Sequence, residues 1–295
     1  MNTNNLKKFA QETRIRLLKA VEDQLEYVLP HDTVYLRDYA ISVEDLNKDL
    51  KRMGTEALID KVAYTWFNRL MALRFMDAND YQPLRLMVIS PKEGFTQPEI
   101  LDEAMQGHIS DELLVDRERI YHLLDGKIIS NNSQNEIYRM LLIASCNYLH
   151  SLFPFLFEEI IDYTELLLSD DLISELSIIN DFVKGMTTED CEEVEIMGGV
   201  YKFYISELNA DLIYSKKAYK KNEIAPASQL FTPKWIVQYM VDNTLGQVWS
   251  EINPKTTILN QLEFYIEPQY KNKVVREDKP IEEIKFFEPC VGSGH

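Results

Sequence analysis

A mainly α fold is predicted for this 295-residue sequence. A helical N-terminal domain covers about residues 1–220, and the opening elements of a Rossmann-like α/β domain follow over 221–295. Three observations predict it. Apolar residues recur every three or four positions along most of the chain. Helix punctuation is frequent, with Pro30 closing one periodic stretch and Thr55 and Thr232-Pro233 opening others. Over residues 281–295 the pattern changes, and a short apolar run meets a small-residue loop.

The first helix is expected from about Leu6 to Leu29, with Ile15, Leu18, Val21, Leu25 and Val28 as its apolar positions. A second runs from about Thr55, placed to cap it, to Asp77; Leu58, Ile59, Val62, Trp66, Leu70 and Leu73 form its buried stripe. Trp66 and Phe67 are core residues on this spacing. Arg69 and Arg74 fall off the stripe, where solvation, intramolecular ion pairing, phosphate contact and interdomain docking are all open readings. Arg85-Leu-Met-Val-Ile-Ser90, followed by Pro91, is a short strand or an extended arm.

Two or three helices are expected between Gln97 and His150. The last covers Asn135–His150 with Ile137, Met140, Leu141, Ala144 and Tyr148 on one side, and the aromatic segment around Pro154 interrupts it. Residues 195–206 read as a hairpin turning at Gly198-Gly199. The helix opened by Thr232 as N-cap and Pro233 as first residue presents Ile236, Val237, Met240, Val241, Leu245 and Val248, and ends near Ser250. Ile281–Phe287 ends as a strand.

Apolar residues make up 45% and aromatics 11%, a composition that buries a core. No stretch offers the roughly 20 apolar residues of a membrane helix, and the N-terminus lacks a signal-peptide core, so a cytoplasmic location is expected. Cys146, Cys191 and Cys290 are few and far apart, which implies no disulfide framework, and no His or Cys pair has zinc-ligand spacing.

The net charge of −17 weighs against strong DNA affinity in this chain alone, because duplex binding draws on Lys and Arg at phosphates. Residues 158–195 supply −12 of it, as a solvated face or as a partner-docking surface. Lys216, Lys217, Lys220 and Lys221 are the nearest approach to a basic cluster and the candidate phosphate contacts.

The chemistry-bearing segment is Glu288-Pro289-Cys290-Val291-Gly292-Ser293-Gly294-His295. After a strand, an acidic residue and a glycine loop let backbone N–H groups approach a carboxylate or phosphate closely. The loop is neither G-x-x-x-x-G-K-[ST] nor a full G-x-G-x-x-G, which argues against ATP and a dinucleotide. Gly-Ser-Gly alone is also linker-like, but Phe-Phe-Glu-Pro-Cys-Val before it argues against that reading. Cys290 is read as a small loop residue rather than a nucleophile, since no partner base is evident.

Phe231-Thr232-Pro233 with Ile236-Val237 resembles motif X of N6-adenine DNA methyltransferases, in the order that places it before motif I, and Phe287–His295 resembles their motif I. Gln229-Leu-Phe-Thr-Pro-Lys-Trp-Ile-Val237, together with Tyr64-Thr-Trp-Phe-Asn-Arg-Leu-Met-Ala-Leu-Arg-Phe-Met76, resembles the adenine-specific methyltransferases of BREX-type phage-defence systems. The likeness covers the chain from about residue 55 onward.

The resemblance implies S-adenosylmethionine (SAM) as cofactor. Phe231, Thr232 and Pro233 would lie on one side of it, and Glu288, Pro289, Cys290, Gly292, Ser293 and Gly294 around its methionine end. It also implies double-stranded DNA as the substrate of the complete enzyme, with other defence components as possible partners and no membrane. The Asn-Pro-Pro-aromatic motif with which such enzymes hold a flipped adenine is absent; Asn253-Pro254 precedes motif I and runs into Lys255. The chain is therefore expected to stop inside its cofactor loop, with no catalytic residues and no activity of its own. The alternatives are part of a fused restriction–modification enzyme, for which no P-D…(D/E)-x-K nuclease core is found, a helical docking module without catalysis, or, from the acidity alone, a DNA mimic, against which the two motifs argue.

Overall fold

The computed structural model describes residues 3–31, 33–154, 157–160, 163–215, 218–219, 224, 227, 232–267, 269, 276–277 and 279–287. Among these the chain is 62% helical and forms no strand, a mainly α architecture. It divides into two compact units, Met1–Tyr204 and Ile205–His295.

In unit 1, α1 (Thr3–Val28) packs on α4 (Thr55–Ala78), α8 (Ile178–Gly185) and α9 (Glu195–Tyr204). Its buried stripe is Leu6, Phe9, Ala10, Thr13, Leu17, Val21, Leu25 and Val28. The predicted stripe holds from Val21 onward. Upstream it is Leu17 and Thr13 that face inward, while Ile15 is 57% exposed and borders an open cleft of about 540 Å³ with Leu18 and Ile59. The charged groups of that cleft engage one another: Arg14 lies 3.6 Å from Asp60, and Lys19 lies 3.1 Å from Glu22.

After α2 (Val34–Asp38) and α3 (Ala40–Met53), the central helix α4 starts at the predicted residue but without the predicted cap. Gly54, at φ 85°, ends α3 by donating to Leu50 O at 3.0 Å and is itself the N-cap of α4, which leaves Thr55 inside the helix. All six predicted stripe residues of α4 are buried, and from Trp66 onward burial extends around most of the helix. Arg69 and Arg74, expected off the stripe, are each 5% exposed. Backbone carbonyls receive them: Arg69 Nη2 donates to Glu158 O at 3.0 Å, and Arg74 Nε donates to Met186 O at 2.8 Å. Arg74 also reaches Ser90 Oγ at 2.9 Å, and the Arg69 guanidinium lies 5.2 Å over the Trp66 ring.

The segment 85–90 is neither a strand nor an extended arm: Arg85 stands at φ 57° and residues 88–90 bend around one carboxylate. Its amides bond to the Asp77 carboxylate rather than to another strand, and the nearby Pro91–Pro98 pairing is an isolated bridge. The helices α5 (Glu99–Met105), α6 (Arg117–Leu124) and α7 (Ser133–Leu152) answer to those expected between 97 and 150. Phe157, beyond the break at Pro154, is fully buried.

The hairpin expected at 195–206 is overturned: these residues form α9 and the start of α10 (Ser206–Ser215). Ile196, Val200 and Tyr204, four apart, are buried in unit 1, and Arg14 lies 5.5 Å over the Tyr204 ring, so a helical stripe wins over the paired glycines.

In unit 2, α11 (Lys234–Val241) widens into a π turn (Asp242–Gly246) and continues as α12 (Gln247–Ile252). The expected strand at 281–287 is a 3-10 turn (Ile281–Glu283) that ends at an extended Ile284, and residues 284–287 form no strand.

Candidate cofactor-binding segments

Of the residues expected around a cofactor, the described ones are Thr232 and Pro233. Phe231 and the loop Glu288, Pro289, Cys290, Gly292, Ser293 and Gly294 lie outside the described residues, as do Lys216, Lys217, Lys220 and Lys221. The helix does start where the sequence says, one residue later in its capping. Pro233 is the N-cap, with φ −57° and ψ 141°, and its carbonyl accepts from Ile236 N at 2.9 Å. Thr232, expected as the cap, stands one position earlier, half-buried. Proline has φ preset for this junction and no N–H to satisfy, which suits it to the cap position here.

α11 has no buried residue, although six of its eight residues are apolar or aromatic. Trp235 is 58% and Met240 49% exposed. Phe286 and Phe287, immediately before the glycine loop, are 64% and 85% exposed.

Sequence reasoning missed the polar residues that organise this unit. Asp242 and Asn243 bond to the backbone of Phe264 and Ile266, and Glu251 holds Arg276. The Arg276 N–H donates to Glu251 O at 2.9 Å, and its Nε donates to Glu251 Oε2 at 2.6 Å. The hydrogen bond from Arg276, against a smaller desolvation cost, holds the Glu251 carboxyl below the usual range. The available signal was an Asp-Asn pair interrupting an apolar helical run at 242–243.

Cys146 and Cys191 are buried free thiols, pushed up by burial to about 12 and about 11. Neither is placed as a nucleophile. Among the described residues no group of His, Cys, Asp and Glu could hold a metal ion, and no helix is long and apolar enough to cross a membrane.

No family model matches the chain. It is 36% identical over 325 aligned residues to the adenine-specific methyltransferase BrxX of Escherichia coli O9:H4 (strain HS), an alignment covering 100% of this chain and 26% of that protein. It is 35% identical over 260 residues to the adenine-specific methyltransferase PglX of Lacticaseibacillus casei (strain Zhang), covering 81% of this chain and 21% of the relative. The chain thus spans about a quarter of the length of the curated relatives it matches. Over the stretch it spans, the chain is a relative of the adenine-specific methyltransferases BrxX and PglX.

Proposed function

We propose that the complete protein is a SAM-dependent N6-adenine DNA methyltransferase of a BREX-type phage-defence system. In this reading residues 1–220 form its helical N-terminal domain and 221–295 begin its Rossmann-like methyltransferase domain. The observation that carries the reading is similarity to two adenine-specific methyltransferases over most or all of the chain. Motif X-like Phe231-Thr232-Pro233 and motif I-like Glu288–Gly294 support it by standing in the expected order.

The donor set suits SAM. Its methionine end carries an ammonium, for which Glu288 supplies a carboxylate, and a carboxylate, for which the glycine-rich backbone of 289–294 supplies N–H donors. Phe231, Thr232 and Pro233 would close the other side. SAM, once bound, supplies the methyl group; the residues of this chain bind and orient it. Lys216, Lys217, Lys220 and Lys221 would meet DNA phosphates, and the acidic helical domain is the surface to which other defence components would dock.

The test is tritiated-methyl transfer from SAM to DNA, with N6-methyladenine as product, by the protein made from its complete gene. Glu288→Ala should reduce it by about 100-fold or more, a loss on the scale of one essential charged contact. The 295-residue chain, without an Asn-Pro-Pro-aromatic motif, should show none above background. Transfer by the chain itself, or none by the complete protein, would sink the corresponding half of the reading.

A further inference from the structure

The outward face of α1 carries its charges in an order that a lone helix does not favour. Taken at helical spacing along one side, that face reads Lys8, Glu12, Ile15, Lys19, Glu22, Glu26, opposite the stripe that packs into unit 1. All six are exposed except Glu22, which is half-buried. Ile15 stands near the middle, beside the open cleft of about 540 Å³ that Leu18 of α1 and Ile59 of α4 also line.

Within the helix these charges do little. Lys8 lies 3.8 Å from Glu12, and Lys19 lies 3.1 Å from Glu22 and 2.9 Å from Asp23. In each pair the lysine precedes the acid, the weaker of the two orders, and exposed pairs add little in either. The charges also run against the helix dipole. No acid stands in the first turn and no base in the last, where Glu26 stands instead.

Between two copies the same order is complementary. A two-fold axis beside Ile15 sets two α1 helices antiparallel. Lys8 of each copy then meets Glu22 of the other, Glu12 meets Lys19, and the two Ile15 side chains meet at the axis. A parallel pairing would set lysine on lysine and acid on acid. Charge order thus selects both the partner and its direction.

We propose that this face of α1 is an interface with a second copy of the chain, packed antiparallel about a two-fold axis at Ile15 and covering the apolar residues of both clefts. One helix pair makes an interface at the small end of the range, so a Kd on the order of 10 µM is expected. The methyltransferase reading plays no part in this and could fail without it.

The test is sedimentation equilibrium on the protein made from the complete gene, from about 1 to about 100 µM, which brackets that Kd. The unsubstituted protein should pass from monomer to dimer across this range. Lys8→Glu/Lys19→Glu makes the four facing charges all acidic, and Glu12→Lys/Glu22→Lys makes them all basic. Each variant alone should associate at least about 100-fold more weakly, since like charges then oppose each other at every pair. Mixed in equal amounts, the two should form a dimer again, which also shows that both are folded. Ile15→Asp should weaken association by a similar factor. A monomer at every concentration overturns the proposal, whether or not further chain covers the cleft. A dimer that survives in both reversed variants is built on another surface and overturns it too. Reversed variants that fail to pair when mixed overturn the antiparallel arrangement.

Discussion

Asp77 gathers three successive backbone amides onto one buried carboxylate. Its oxygens accept from Val88 N at 3.0 Å, Ile89 N at 2.9 Å, Ser90 N at 2.8 Å and Gln82 Nε2 at 2.7 Å. Burial pushes its carboxyl above the usual range, against the pull of those donors. In Asp77→Ala the three amides lose their acceptor, at about 1–3 kcal/mol each, so the variant should lose at least about 3 kcal/mol in urea unfolding. A loss under about 1 kcal/mol would mean that residues 88–90 find other acceptors.

Asp49 tests electrostatics of the opposite sign. The Tyr163 hydroxyl, 2.6 Å away, holds its carboxyl below the usual value of 3.8, with Arg52 and Lys61 adding to the effect. A lowered folded-state pKa gives stability that is present above the unfolded value and lost as pH falls through the folded one. Asp49→Asn should therefore be less stable than the unsubstituted chain at pH 7. The gap should close as pH drops below 3.8, toward the lower folded value. A gap that persists undiminished at acid pH would assign it to packing instead.

At the scale of elements, α1 and α8 meet at a point with no room to spare. A Cβ on Gly185 would stand 2.1 Å from Phe9 Cδ2 and 2.4 Å from Cγ. Phe9 in turn packs edge-on to Phe182, with centroids 5.2 Å apart. Overpacking costs about 1–3 kcal/mol, and the helical preference of Ala offsets at most about 1 kcal/mol of it, so Gly185→Ala should destabilise. Phe9→Leu should recover part of that loss, and a double-mutant cycle on urea midpoints measures how much. Strict additivity would show that the two residues do not press on each other.

Much of this element level was legible in the sequence. The α4 stripe Leu58–Leu73 was readable because its period is helical and its burial follows from that period. Arg69 and Arg74 were not, because their partners are carbonyls 89 and 112 positions away, which no local pattern encodes. Gly198-Gly199 misled because turn chemistry outweighed the four-residue spacing of Ile196, Val200 and Tyr204, whose meaning depends on burial in the folded unit. Near the candidate site, the helix start at Pro233 was legible while the hydrogen bonds of Asp242 and Asn243 to Phe264 and Ile266 were not. A π turn has no sequence signature, and Asp-Asn in a helix ordinarily faces solvent.

Across the whole molecule, burial is distributed very unevenly. Buried apolar side chains run through unit 1 from Leu6 to Tyr204, whereas in unit 2 the described ones are Ile205 and Ile252. Stability follows buried apolar area, and a helix that is apolar on most of its surface requires cover. Hydrogen exchange on the 295-residue chain should consequently be slowest in α4 and α7, whose amides open with the whole of unit 1. Those of α11 should exchange at least about 100-fold faster, through local opening. In the protein made from its complete gene, the methyltransferase reading requires further chain to pack on Trp235, Ile236, Val237 and Met240. Exchange in α11 should then slow toward that of unit 1, and Trp235, 58% exposed here, should lose accessibility to a fluorescence quencher. If α11 already exchanges as slowly as α4 in the 295-residue chain, unit 2 is stable without cover. Its exposed apolar face would then be free for some purpose other than completing a methyltransferase domain.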